Sequence, residues 1–119
     1  MDSFKTLEQL IHFTGMRHGV LTSNIANADT PNYKAKDMNF TQALDAELDL
    51  KTTGPGHIGN SVEGSQGQIS AEASASWEDG NNVEVDMEVA KMTENAMLFQ
   101  TAVSLLETKI RMFKTALRR

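Results

Sequence analysis

Ten apolar positions, Val85, Val89, Met92, Ala96, Phe99, Val103, Leu106, Ile110, Phe113 and Leu117, follow one another in unbroken steps of four and three. That spacing returns side chains to one side of an α-helix and to nothing else, so this stretch is predicted as one continuous helix with a coiled-coil-like seam. From about Val83 to Leu117 such a helix extends on the order of 50 Å, at 1.5 Å per residue. It is more rod than globule. Asp79-Gly80-Asn81-Asn82 just before it is turn chemistry with an N-cap candidate, and Glu84, Asp86 and Glu88 place negative charge on the first turns. Lys109, Arg111, Lys114, Arg118 and Arg119 crowd the other end without an acidic residue among them. They read as complements of the helix dipole.

A second seam runs through Phe4, Leu7, Ile11, Thr14, His18, Leu21, Ile25 and Ala28. Two of its positions are polar, and His18 is expected to be packed or hydrogen-bonded there. Gly15 and Gly19 each cost roughly 1 kcal/mol relative to alanine inside a helix. Between the seams the composition changes. Five of the eight glycines and Pro55 fall between Thr52 and Gln68, followed by small and polar residues to Ser76, which reads as an irregular loop. Around Gln68, Ile69 and Ser70 a brief alternation predicts a short strand, and within Lys36 to Leu50 the spacing of Phe40, Leu44 and Leu48 by four reads as a turn or two of helix. The expected fold is all-α: two long terminal helices packed as a coiled-coil-like pair around an irregular Gly-rich middle. It forms a single domain over 1–119, divided at about 3–28, 29–82 and 83–117.

Composition removes several classes of function. The net charge of −5 gives the chain no electrostatic footprint for nucleic acid or an anionic membrane. It has no cysteine for a disulfide or thiolate site. No apolar run approaches the ~18 residues of a membrane span, and Met1 to Gly15 lacks the pattern of a cleaved secretion signal. His12 and His18 lie nearly opposite each other on a helix and His57 sits in the glycine-rich loop, so no metal site is predicted. The alternating carboxylates Asp45, Glu47, Asp49 and Glu84, Asp86, Glu88 read as a solvated face and a helix start rather than an acid–base pair. Neither a nucleophile elbow nor a phosphate-binding glycine loop is present. No catalytic residue, metal or cofactor is predicted, and the chain is not expected to be an enzyme.

The most specific stretch is Ser23-Asn24-Ile25-Ala26-Asn27-Ala28-Asp29-Thr30-Pro31-Asn32-Tyr33-Lys34. It reads as a helix running out into a turn, with Pro31 presetting φ at the second position and Asn32 tolerating the left-handed φ of the third. Asn24 and Asn27 are suited to tether the departing backbone. This segment resembles the S/A-N-x-A-N-x-x-T-P-G-Y element shared by the rod, hook and related axial proteins of the bacterial flagellum, with Asn32 where glycine is usual. The likeness is closest to the basal-body rod proteins adjoining the inner-membrane ring. Lys34 to Phe40, with Lys-Ala-Lys-Asp and a following Phe, Asp79 to Val83 and Glu94-Asn95 resemble further elements of that family, and His57-Ile58 resembles one in its middle region.

The resemblance implies a structural subunit, exported unfolded through the flagellar type III apparatus without a cleaved signal. Its partners would be other copies of itself, other rod proteins, and the adaptor of the basal-body ring and export gate. Its place would be the periplasmic rod that transmits torque. On this reading Leu7, Ile11, Leu21, Ile25, Val89, Met92, Phe99, Val103, Leu106, Ile110, Phe113 and Leu117 form the assembly seam. Asn24, Asn27, Thr30, Pro31, Asn32 and Tyr33 fix the helix exit. The rival readings are another axial protein of the same family, a cytoplasmic helical adaptor or export chaperone, and a small hydrolase.

Overall fold

The computed structural model describes residues 2–40, 69–72 and 76–118. The glycine-rich middle and the Phe40, Leu44, Leu48 spacing lie largely outside the described residues. Two helices dominate: α1 over Asp2–Ala26 and α2 over Val85–Leu117. They pack against each other in antiparallel order, since Asn24 meets Glu88, Thr14 meets Asn95 and Phe4 meets Phe113. The helix pair matches the expected architecture. Beside it lies a small antiparallel ribbon of β1, Lys36–Met38, and β2, Ile69–Ala71, in the register Lys36↔Ala71, Asp37↔Ser70 and Met38↔Ile69. The short strand expected near Ile69 is therefore present, while Lys36–Met38 pairs as a strand instead of opening a helix.

The sequence explains why α2 is long. No Gly or Pro interrupts Val85–Leu117, Asp86 and Glu88 stand in its first turn, and Lys114 stands in its last. Thr93, Thr101, Thr108 and Thr115 turn their hydroxyls back onto the carbonyls four residues earlier. This spends their donors within the helix and leaves methyl groups on its exposed surface. The cap differs from the sequence reading. Glu84 occupies the N-cap without a side-chain cap bond, and Asn81 and Asn82 are used elsewhere.

The buried apolar residues are few: Phe13, Leu21, Ala35, Met38, Val83 and Ala102 among the described residues. Phe13 also meets the Phe40 ring at 5.2 Å. None of the described helices is long and apolar enough to cross a membrane.

Candidate assembly surface

A knot of asparagines closes one end of the helix pair. Asn24 is fully buried on α1, and its amide nitrogen donates to the Lys36 carbonyl at 2.7 Å and to Glu88 Oε2 at 2.8 Å. Its amide oxygen accepts from the Lys36 N–H at 3.0 Å and from the Tyr33 hydroxyl at 3.1 Å. One side chain thus ties α1, the start of β1 and α2 together. Asn27 donates to the Ser23 carbonyl and accepts from the Thr30 hydroxyl, holding the exit locally. The Tyr33 N–H closes the turn on the Thr30 carbonyl at 3.3 Å, and Asn32 has φ 62°, the left-handed value that the turn reading demands at that position. Pro31 precedes it, exposed.

Asn81 completes the same exit from the other side of the sequence. Its amide nitrogen lies 2.8–2.9 Å from the carbonyls of Asn27, Ala28 and Thr30, in the turn that follows α1. Asn82 accepts from the Ala35 N–H at 2.6 Å and donates to the Glu72 carbonyl at 2.9 Å, joining both strands' flanks to the foot of α2. Gly80 makes the approach possible. It has φ 81°, and a Cβ there would sit 2.5 Å from Asn32 Oδ1.

Charge inside this end is paired. Glu88 is 2% exposed, so its reading as a solvated first-turn carboxylate is corrected: Asn24 and Lys91 satisfy it. Lys91 also bonds Glu72. Burial would lower the Lys91 pKa, but hydrogen bonds to Glu72 and Glu88 outweigh it and raise the net value. Arg17 grips Asp37 through two bonds of 2.9 and 3.0 Å, fastening β1 to α1. Burial pushes the Asp37 pKa up, while the Arg17 hydrogen bond and the Met38 N–H hold it below the ordinary carboxylate value.

The seam positions divide unequally. On α1, Leu21 is fully buried, Leu7, Ile11 and Ile25 are half-buried, and Thr14 is buried. His18 is exposed and so is not the packed seam residue the spacing suggested. On α2, Met92, Val103 and Leu106 are half-buried, whereas Val89, Phe99, Ile110 and Phe113 are exposed and Leu117 is 83% exposed.

The reason is a rotation. The stripe of α2 that faces α1 is centred on Glu88, Asn95, Ala102 and Lys109, seven residues apart, not on the apolar seam. At 3.6 residues per turn the two stripes are offset by roughly 80°. The contact with α1 is accordingly polar at its centre. Asn95 is 2% exposed and donates to the Thr14 carbonyl at 2.8 Å, with its own Oδ1 left without a partner. Lys109 bonds Ser3 and lies 5.4 Å over the Phe4 ring. Leu98, Leu105 and Met112 are exposed on the opposite flank of the inward stripe, so apolar surface borders the α1 contact on both sides, while Thr93, Gln100, Ser104, Glu107 and Arg111 occupy the side of α2 turned away from α1.

A long helix with this much apolar surface left exposed calls for comparison with known assembly proteins. The sequence profile described as "Flagella basal body rod protein" matches residues 19–34, the stretch that supplies the helix exit. The chain is 35% identical over 119 residues to "Flagellar basal body rod protein FlgB" of Bacillus subtilis (strain 168), covering 97% of this chain and 92% of that one. It is 34% identical to the protein of that name from Aquifex aeolicus (strain VF5), covering 85% and 83%, and 37% identical to that of Aeromonas hydrophila, covering 79% and 76%. The chain belongs to the flagellar basal body rod protein family. As a rod-family member it is a structural subunit of the basal body, and its long helices are the elements available for packing against other rod proteins.

Some of the residues that organise this rod-family fold carry little sign of it in the sequence. Asn81, Asn82, Glu88 and Asn95 are polar types whose spacing looks like turn, cap or solvated helix. The faint signal is Glu88 with Lys91, a pair three apart on one helix face. Asp37 and Arg17, twenty residues apart, carry no local sign of their pairing.

Proposed function

We propose that this chain is a subunit of the proximal rod, the part of the periplasmic shaft nearest the inner-membrane ring, and that the exposed seam of α2 makes its assembly contacts. The observation that carries the reading is the rotation of α2, which turns Glu88 and Asn95 toward α1 and leaves Phe99, Ile110 and Leu117 exposed on its flank. A helix selected only to close an intramolecular hairpin would place the apolar stripe inside. Burying the exposed stripe against other helices releases roughly 1.5–3 kcal/mol for each large side chain fully covered.

On this reading the neighbours are copies of the chain, other rod proteins and the adaptor between ring and export gate, and the route is type III export without a cleaved leader. The mechanism is mechanical. Torque passes through packed helices, and the asparagine knot holds α1 and α2 at a fixed angle while load crosses the subunit. Electron microscopy of isolated basal bodies carrying an epitope-tagged copy tests the assignment. Label at the ring-proximal end of the rod is the expected result, and label confined to the cytoplasm or to a distal axial segment overturns it.

A further inference from the structure

Among the described residues, one surface of α1 is left uncovered. Met16, Gly19 and Val20 form one wall of an open groove and Tyr33, Met38 and Ile69 form the other, enclosing about 400 Å³ without a contribution from α2. Gly15 and Gly19 stand in the middle of α1, and a Cβ at either would meet nothing within 4 Å. Neither has the positive φ that would require glycine. Each therefore costs roughly 1 kcal/mol of helix stability with no return among the described residues. A neighbour that must approach the backbone closely would supply the return.

We infer that this groove receives the exposed seam of α2 from a second copy of the chain, with Val89, Ala96 and Phe99 seated over Gly19. The inference rests on the assembly reading above and names the receiving surface for it. Both halves of the contact occur on one molecule: an apolar groove beside α1, and exposed apolar side chains on α2. The charges agree. Exposed Lys36 stands on the groove's rim, where the neighbouring Asp37 is already neutralised by Arg17, and exposed Asp86 flanks the first turn of the seam. The 19–34 stretch that matches the rod family supplies Gly19, Val20 and Tyr33 of the lining. Because groove and seam are different faces, the contact is heterologous, and its repetition gives an open array rather than a closed dimer.

The chain contains no cysteine, so engineered thiols report this contact against an empty background. Val20→Cys protein mixed with Ala96→Cys protein and mildly oxidised should give a disulfide-linked heterodimer, whereas Val20→Cys mixed with Thr108→Cys should not. Equal cross-linking of both mixtures overturns the proposed seating. Gly19→Leu supplies the functional test, because leucine is the better helix former and enters open space. By circular dichroism the variant should keep or gain helix, yet self-association by sedimentation should weaken at least tenfold. Phe99→Asp separates the two levels of argument. Loss of association in Phe99→Asp but not in Gly19→Leu overturns the groove and leaves the seam reading standing. Retention of association in both overturns the seam reading itself. In cells, capture of Val20→Cys by a different rod chain, and never by Ala96→Cys, overturns the assignment to a second copy.

Discussion

The two ends of α2 are built on opposite rules. Its first two turns meet α1 through buried polar groups that are almost all satisfied, where Glu88 alone is held by Asn24 and Lys91. Its last turns carry Ile110, Met112, Phe113 and Leu117 into solvent, with the Phe4–Phe113 ring contact at 5.2 Å as their tie to α1. Hydrogen bonds are directional and expensive to leave unmade, so the first end can specify one geometry with little apolar burial. Apolar surface is non-directional, so the second end becomes well defined only when something covers it. The difference sets how each end is held: hydrogen bonds fix the first end to α1, while the last is left with apolar surface that, like Val89 and Phe99 nearer the start, is available to neighbours.

The sharpest way to break this comparison is at Asn24. Replacing it with Ala leaves the Tyr33 hydroxyl, the Lys36 backbone and one Glu88 oxygen without their partner inside a buried site. We expect a loss of about 3–5 kcal/mol, the range for removing one member of a buried polar network. Denaturant titration measures it, and hydrogen exchange should show protection lost at 33–36 and 81–88 first. A change under ~1 kcal/mol would mean that the knot does not fix the subunit.

Leu106→Ala tests the other end, where the effect should depend on the state of assembly. Leu106 is half-buried in the monomer, so the isolated chain should lose only about 1 kcal/mol. In the assembled rod, where the seam is covered, truncation should cost about 2–5 kcal/mol. The variant should therefore be made and exported but not incorporated, as read by fractionating cells into cytoplasm, periplasm and basal bodies. Loss from every fraction at wild-type messenger level would make Leu106 a core residue and favour a folded cytoplasmic adaptor.

Asn32 gives a smaller and more local effect. Its φ of 62° suits Asn and Gly and disfavours a β-branched side chain. Asn32→Val should destabilise by about 1–2 kcal/mol and reduce swimming, while Asn32→Gly should match the parent in both. Equal behaviour of the two variants would leave the turn without a part in setting the helix exit.

One side of this contrast is legible in the amino-acid sequence and the other is not, for physical reasons. The period of Val85 to Leu117 sets the helix and its length because local geometry alone produces that spacing. Pro31-Asn32 sets the turn for the same reason: the constraint lies within two residues. The direction in which α2 faces is not local. Apolar periodicity marks a stripe that something will cover, and it does not say whether that cover is α1 or another chain. The inward role of Asn95 leaves no pattern because its partner, the Thr14 carbonyl, is backbone and eighty-one positions away. Glu88 invites a misreading because a carboxylate in a first turn has an ordinary explanation in the helix dipole. Its burial depends on Asn24, sixty-four positions earlier. Polar residues that bond across the fold leave the weakest trace in sequence.

The smallest expected effect concerns pH and the Arg17–Asp37 pair that fastens the ribbon to α1. Asp37 has its pKa held below the ordinary 3.8: burial opposes the charge, but the Arg17 hydrogen bond and the Met38 N–H together prevail. A carboxylate with a depressed folded pKa contributes stability that is fully present above its unfolded value. That contribution is lost as pH falls through the folded value, so the pair should hold at neutrality and weaken below about pH 4. The carboxylate keeps 22% of its side-chain surface exposed, which screens the pair and limits its worth to about 1 kcal/mol or less. Asp37→Asn should lower stability by that amount at pH 7, and the difference should shrink as pH falls through the folded value and the parent carboxylate takes up its proton. Melting curves of both proteins across pH 2–7 should therefore converge at the acid end. A constant gap over the whole range would assign the loss to packing of the ribbon and leave the ion pair without a part in joining it to α1.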